Sequence, residues 1–102
     1  MKKLVRNKIP RFAPNAKYRK LSSDEIEGAL KDKIVEEALE VKAAPNNQNL
    51  IEELGDVYSV LEAFLDYKKI DKQFFLKKVA EKNREKGTFS EYILMEIDNN
   101  DN

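Results

Sequence analysis

Two pairs of acids in this 102-residue chain share one spacing: Glu37 and Glu40, then, after twelve intervening residues, Glu53 and Asp56. A separation of three puts both members of a pair on one side of an α-helix, one turn apart. Each pair also falls where apolar residues recur at helical spacing. In the first segment Ile26, Leu30, Ile34 and Val41 form the apolar stripe. Glu37 projects between Ile26 and Leu30, Glu40 lies at the stripe's edge, and Glu36 is rotated well away. In the second, Leu50, Leu54, Val57, Leu61 and Phe64 alternate spacings of four and three. Glu53 projects between Val60 and Phe64, inside that arc, and Asp56 sits at its edge. Glu52 falls on the solvent side with Ser59 and Asp66. An unpaired carboxylate in an apolar stripe costs on the order of several kcal/mol, so it pairs, takes up a proton or binds a metal. Salt bridges to Lys33, Lys42 or a basic third helix account for one such acid. Two matched pairs on facing helices are better accounted for by a shared cation. Every donor is an oxygen, which suits Mg²⁺ or Mn²⁺ and argues against zinc or copper.

A second set of residues supplies the complementary charge. Further along, Phe75, Leu76 and Val79 begin an apolar stripe that continues with Lys82, Asn83 and Lys86. Lysine stems can snorkel along apolar surface to water, which is the plain explanation for any one of them. Taken together at the end of a stripe facing four acids, they form the phosphate side of a metal–polyphosphate site. The first 22 residues add eight basic groups and no acid, among them Arg6 and Lys8.

Composition narrows the chemistry further. Nineteen basic and nineteen acidic side chains give zero net charge, which argues against a nucleic-acid binder. Cysteine and histidine are absent, removing thiolate nucleophiles, sulfur-bound metals, imidazole ligands and the commonest general base. Carboxylates, lysines and arginines must do whatever chemistry there is. No apolar run is long enough for a bilayer and no signal-peptide pattern is present, so the chain reads as cytoplasmic.

The elements that must hold these residues are helices in a single domain spanning 1–102. Residues 1–22, with Pro10 and Pro14, read as an irregular basic arm or short strand pinned by Leu4, Val5 and Ile9. A helix over about 23–44 starts at a capping box, Ser22 with Glu25, and stops at Pro45. A second, over about 49–67, has Asn49 as its best N-cap. The third, about 72–86, runs from an Asp71 cap to Gly87. Residues 89–97 fit a strand or a short helix, and 98–102 a frayed tail.

Glu37-Ala-Leu-Glu40 and Glu53-Leu-Gly-Asp56 together resemble the E-x-x-E…E-x-x-D pattern of the all-α nucleoside triphosphate pyrophosphatases, which include MazG-like enzymes and phosphoribosyl-ATP pyrophosphohydrolase. The opening Lys3-Leu-Val-Arg6-Asn7-Lys8-Ile-Pro10 is similar to the K-L-V-R-D-K-I-P signature of a small branch, with Asn7 where Asp is frequent. Lys86-Gly87-Thr88-Phe89 resembles that branch's K-G-G-F, Thr88 replacing a glycine. The resemblance implies an all-α helical bundle that assembles as a homodimer or larger homo-oligomer. It implies Mg²⁺ held by Glu37, Glu40, Glu53 and Asp56, and hydrolysis of a nucleoside triphosphate between its α- and β-phosphates to the monophosphate and pyrophosphate. Glu37 or Glu40 would orient or deprotonate the water, while Lys82, Asn83, Lys86, Arg6 and Lys8 would bind phosphate. Whether one or two metal ions are held stays open. The rival reading is a non-catalytic helical module that oligomerises; it explains the wide apolar arc of the second helix but not acids inside two apolar stripes. A weak nucleic-acid binder using the basic arm is a third.

Overall fold

A computed structural model describes residues 2–98 and is all-helical, with no strand among the described residues. The elements are α1 (Ile9–Phe12), α2 (Ser23–Ala43), α3 (Asn47–Tyr67) and α4 (Lys72–Lys86). They fall into two compact units, Met1–Ile70 and Asp71–Asn102. None of the described helices is long and apolar enough to cross a membrane.

The first unit is built on a helical hairpin. Helices α2 and α3, 21 residues each, are joined by the short link 44–46 and pack against each other. Pro45 ends α2 by forcing Ala44 into an extended backbone (φ −60°, ψ 125°). At the opposite end the Tyr67 hydroxyl donates to the Ser23 carbonyl (3.4 Å) and Lys68 pairs with Glu27 (2.9 Å), so the helices run antiparallel.

Two caps differ from the sequence reading. Asn46, not Asn49, caps α3: its side chain accepts from the Asn49 N–H (2.9 Å), and the helix starts at Asn47. Asn46 follows Pro45 directly in an extended backbone, the conformation that frees an N-cap side chain to bond three residues on. At the start of α2 the Ser22 hydroxyl donates to Asp24 (2.6 Å) and makes no cap bond, while the Glu25 carboxylate lies on Arg19 (2.9 Å). The helix still begins where Ser22 predicts.

Leu30 and Leu65 are the buried apolar residues of the hairpin, with Ile26, Ile34, Val41, Leu50, Val57, Leu61 and Phe64 half-buried around them. Leu54, expected in the seam, is instead 51% exposed. It lies on a strip of α3 with Ile51 and Tyr58 that turns away from α2, because one partner helix covers only part of so wide an apolar arc. Val35 and Leu39 are exposed on the back of α2. The basic arm is irregular apart from the single turn of α1, which opens with Pro10 in its first turn, and Leu4, Val5 and Ile9 are half-buried as expected.

In the second unit Asp71 caps α4 by accepting from the Phe74 N–H (3.0 Å), and Gly87 ends it at φ +86°, a left-handed value that suits glycine. Residues 89–97 form neither strand nor helix; they make one turn and continue without regular structure. Of the expected frayed tail, only Asp98 lies among the described residues.

The caps give a direct check. Replacing Asn46 by Ala should destabilise the protein by about 1 kcal/mol, and Asn49→Ala by much less. Urea midpoints at unchanged slope measure both, and the reverse order would restore Asn49 as the cap.

Candidate metal centre

Chain geometry brings the two acid motifs together. Glu37 and Glu53 stand eight residues before and eight after Pro45, so in an antiparallel hairpin they reach the same level, about 9 Å from the helix ends at the link. Glu40 is a turn nearer the link and Asp56 a turn further from it. One carboxylate oxygen each from Glu37, Glu53 and Asp56 lies within 4.8 Å of the others, a spacing that can hold a metal ion. Glu40, exposed at the edge of α2, stands outside this set. The charge of Glu40 nevertheless reaches Glu53 and helps to raise its carboxyl.

Burial follows the wheel. Glu37 is buried, Glu53 and Asp56 are half-buried, and Glu52 is exposed. Glu36 departs from its predicted place: it is half-buried and pairs with Lys33. Lys33 also lies 3.2 Å from Glu37, one turn up the same helix. Burial opposes the charge of Lys33, but the hydrogen bonds it donates to Glu36 and Glu37 outweigh it, so its pKa is raised. Asp56 accepts from Arg6 of the basic arm (2.5 Å). Among the described residues Glu53 makes no such pair. Partial desolvation, and then the neighbouring charges of Asp56, Glu40, Glu37 and Glu52, push its carboxyl up. The centre thus combines a buried acid neutralised from its own helix, an acid neutralised by the arm, and an acid held among like charges.

The residues expected on phosphate divide between the two units. Arg6 lies on the acid trio, whereas Lys8 is exposed and makes no ion pair among the described residues. Lys82, Asn83 and Lys86 line one groove of the second unit, about 460 Å³, together with Lys78, Val79 and Phe89. Lys33, four residues before Glu37, is one of the salt-bridge partners that the sequence offers. Arg6 on Asp56 could not be read from local spacing, since fifty residues separate them.

The donor set fits a hard divalent cation: three carboxylates, no nitrogen or sulfur, and enough local negative charge that a cation relieves repulsion. The sequence model of the phosphoribosyl-ATP pyrophosphohydrolase family matches residues 1–83, which include both acid motifs and the arm. No curated protein and no solved structure matches the chain.

The raised Glu53 carboxyl sets a pH dependence. The folded state takes up this proton more readily than the unfolded chain, so its contribution to metal-free stability is full below the ordinary value of 4.5 and is lost as pH rises through the raised value. Glu25 and Glu27, lowered chiefly by hydrogen bonds from Arg19 and Lys68, act the opposite way, but only below 4.5. With chelator present, Tm should therefore rise as pH falls from 7 toward 4.5, and Glu53→Gln should flatten that rise. Glu53→Leu should raise the metal-free Tm at pH 7. An unchanged slope in Glu53→Gln would assign the rise to other groups.

Proposed function

Because the chain belongs to the phosphoribosyl-ATP pyrophosphohydrolase family, and so to the hydrolases of acid anhydrides, we propose that it is a Mg²⁺-dependent nucleoside triphosphate pyrophosphohydrolase. Its reaction adds one water across the α–β anhydride and releases a nucleoside monophosphate and pyrophosphate. The observation that carries this reading is the meeting of Glu37, Glu53 and Asp56 across the hairpin, one carboxylate oxygen of each within 4.8 Å of the others.

In this reading those three acids hold the cation, with Glu40 completing the set from the edge. Mg²⁺, when bound, supplies a polarised phosphoryl group and a water of lowered pKa. The protein's own groups do the rest. Glu37 or Glu40 accepts the proton of the attacking water. Arg6, already at the acids, moves onto the phosphate oxygens, where its planar fork suits a bidentate contact. Lys82, Asn83 and Lys86, with Lys8, neutralise charge developing on the leaving pyrophosphate.

Assembly belongs to the same reading. Ile51, Leu54 and Tyr58 on α3, and Val35 and Leu39 on α2, leave apolar surface uncovered on a hairpin with two buried apolar residues. A second copy covering these faces would enlarge the core, and its arm or α4 could complete the phosphate side of the neighbouring site.

Two measurements test the proposal. Pyrophosphate release over a nucleotide panel should require Mg²⁺ and fall at least a hundredfold in Glu37→Gln and in Glu53→Gln, while Glu52→Gln stays within a few-fold of the parent. Equal damage from Glu52→Gln would put the wrong face of α3 at the site. Light scattering at micromolar concentration should show at least twice the 11.9 kDa chain mass, and a fully active monomer would sink the shared-site assembly.

A further inference from the structure

Lys33 has an unusual place for a lysine. Its side chain is 14% exposed, and its ammonium lies between two carboxylates of one helix, Glu37 (3.2 Å) and Glu36. The two partners differ in kind. Glu37 belongs to the trio able to hold a cation, and Glu36 does not. From one position the ammonium can therefore bond either an acid of the centre or an acid beside it.

We propose that Lys33 is a positioning residue, a tethered cation that holds Glu37 until a divalent ion arrives and then retires to Glu36, so that metal binding is an exchange of one cation for another. The inference rests on the reading of Glu37, Glu53 and Asp56 as metal ligands. A half-buried ammonium cannot simply be released, because a desolvated charge without a partner is costly. Glu36, which is outside the trio, removes that obstacle by keeping a bond to Lys33. Glu36 thereby acquires a role in metal affinity although it ligates nothing.

The exchange makes signed predictions that an ordinary structural ion pair does not. Removing Lys33 takes away the competitor for Glu37, so metal binds more tightly even as the empty protein loses a counter-charge. Removing Glu36 leaves Lys33 without its alternative partner, so it clings to Glu37 and metal binds more weakly. Once Lys33 is gone, Glu36 has nothing left to do.

The test is Mn²⁺ titration calorimetry on the full chain, alongside thermal unfolding in chelator. Lys33→Met should tighten Mn²⁺ three- to tenfold while lowering the metal-free Tm. Lys33→Arg should restore both toward the parent, and Glu36→Gln should weaken Mn²⁺ several-fold. In the Lys33→Met background, adding Glu36→Gln should leave Mn²⁺ affinity unchanged, a coupling that a double-mutant cycle reads directly. If Lys33→Met weakens Mn²⁺ together with stability, Lys33 is only a prop and the exchange is overturned. If Lys33→Met fails to fold, Glu36→Gln decides alone, because an unaltered Mn²⁺ affinity there also overturns it. A parent protein that takes up no Mn²⁺ overturns the metal-site reading itself, an outcome distinct from Mn²⁺ binding without the sign reversal.

Discussion

Glu37 keeps a carboxylate on the face of α2 that packs against α3, and the region around it is organised by the need to neutralise that charge. A buried acid could have been replaced by leucine at a gain in packing; its retention calls for a partner. Lys33 reaches it along the same helix, Glu53 meets it across the hairpin, and Asp56 brings in the basic arm through Arg6. The arm, which has almost no regular structure of its own, is thus tied to the hairpin at its charged centre as well as by Leu4, Val5 and Ile9. One placement of charge draws together segments fifty residues apart.

Much of this was legible in the sequence because it depends on helical periodicity. The three long helices, the stop of α2 at Pro45, the Asp71 cap and the orientation of Glu37, Glu53 and Glu52 all follow from residue types and their positions along the chain. The failures were of other kinds. Asn49 and Asn46 offer the same cap chemistry, and only the backbone that follows Pro45 chooses between them. Leu54 satisfies the spacing of the seam, yet periodicity does not say how wide a face one neighbouring helix can cover. Glu36 lies off the stripe by angle, but a long side chain carries its carboxylate back to Lys33. The wheel places Cα atoms; it does not place the ends of flexible side chains. For residues 89–97 the β-rich composition gave no guidance, because a strand needs a partner and none is offered among the described residues.

The polyphosphate chemistry of the reading draws on surfaces of different character. The acids sit on rigid helix faces, where backbone geometry fixes their mutual distances. The lysines of α4 line an open groove beside the helix's C-terminal end, where the backbone dipole is negative and cationic side chains are independently favoured. Their clustering therefore has two sufficient causes.

The symmetry of Glu37 and Glu53 about Pro45 also restricts how the chain can change length. Lengthening only one arm of the hairpin near the link would rotate one acid by about 100° per added residue and lift it by about 1.5 Å, separating the pair. A compensated insertion must add about one full turn to each helix at once, roughly seven residues in all. The interval between the two motifs is therefore quantised. Homologous chains with the same pairing are expected to differ there by whole-turn pairs, or by residues looped out at the Pro45 link, and seldom by one or two residues within a helix.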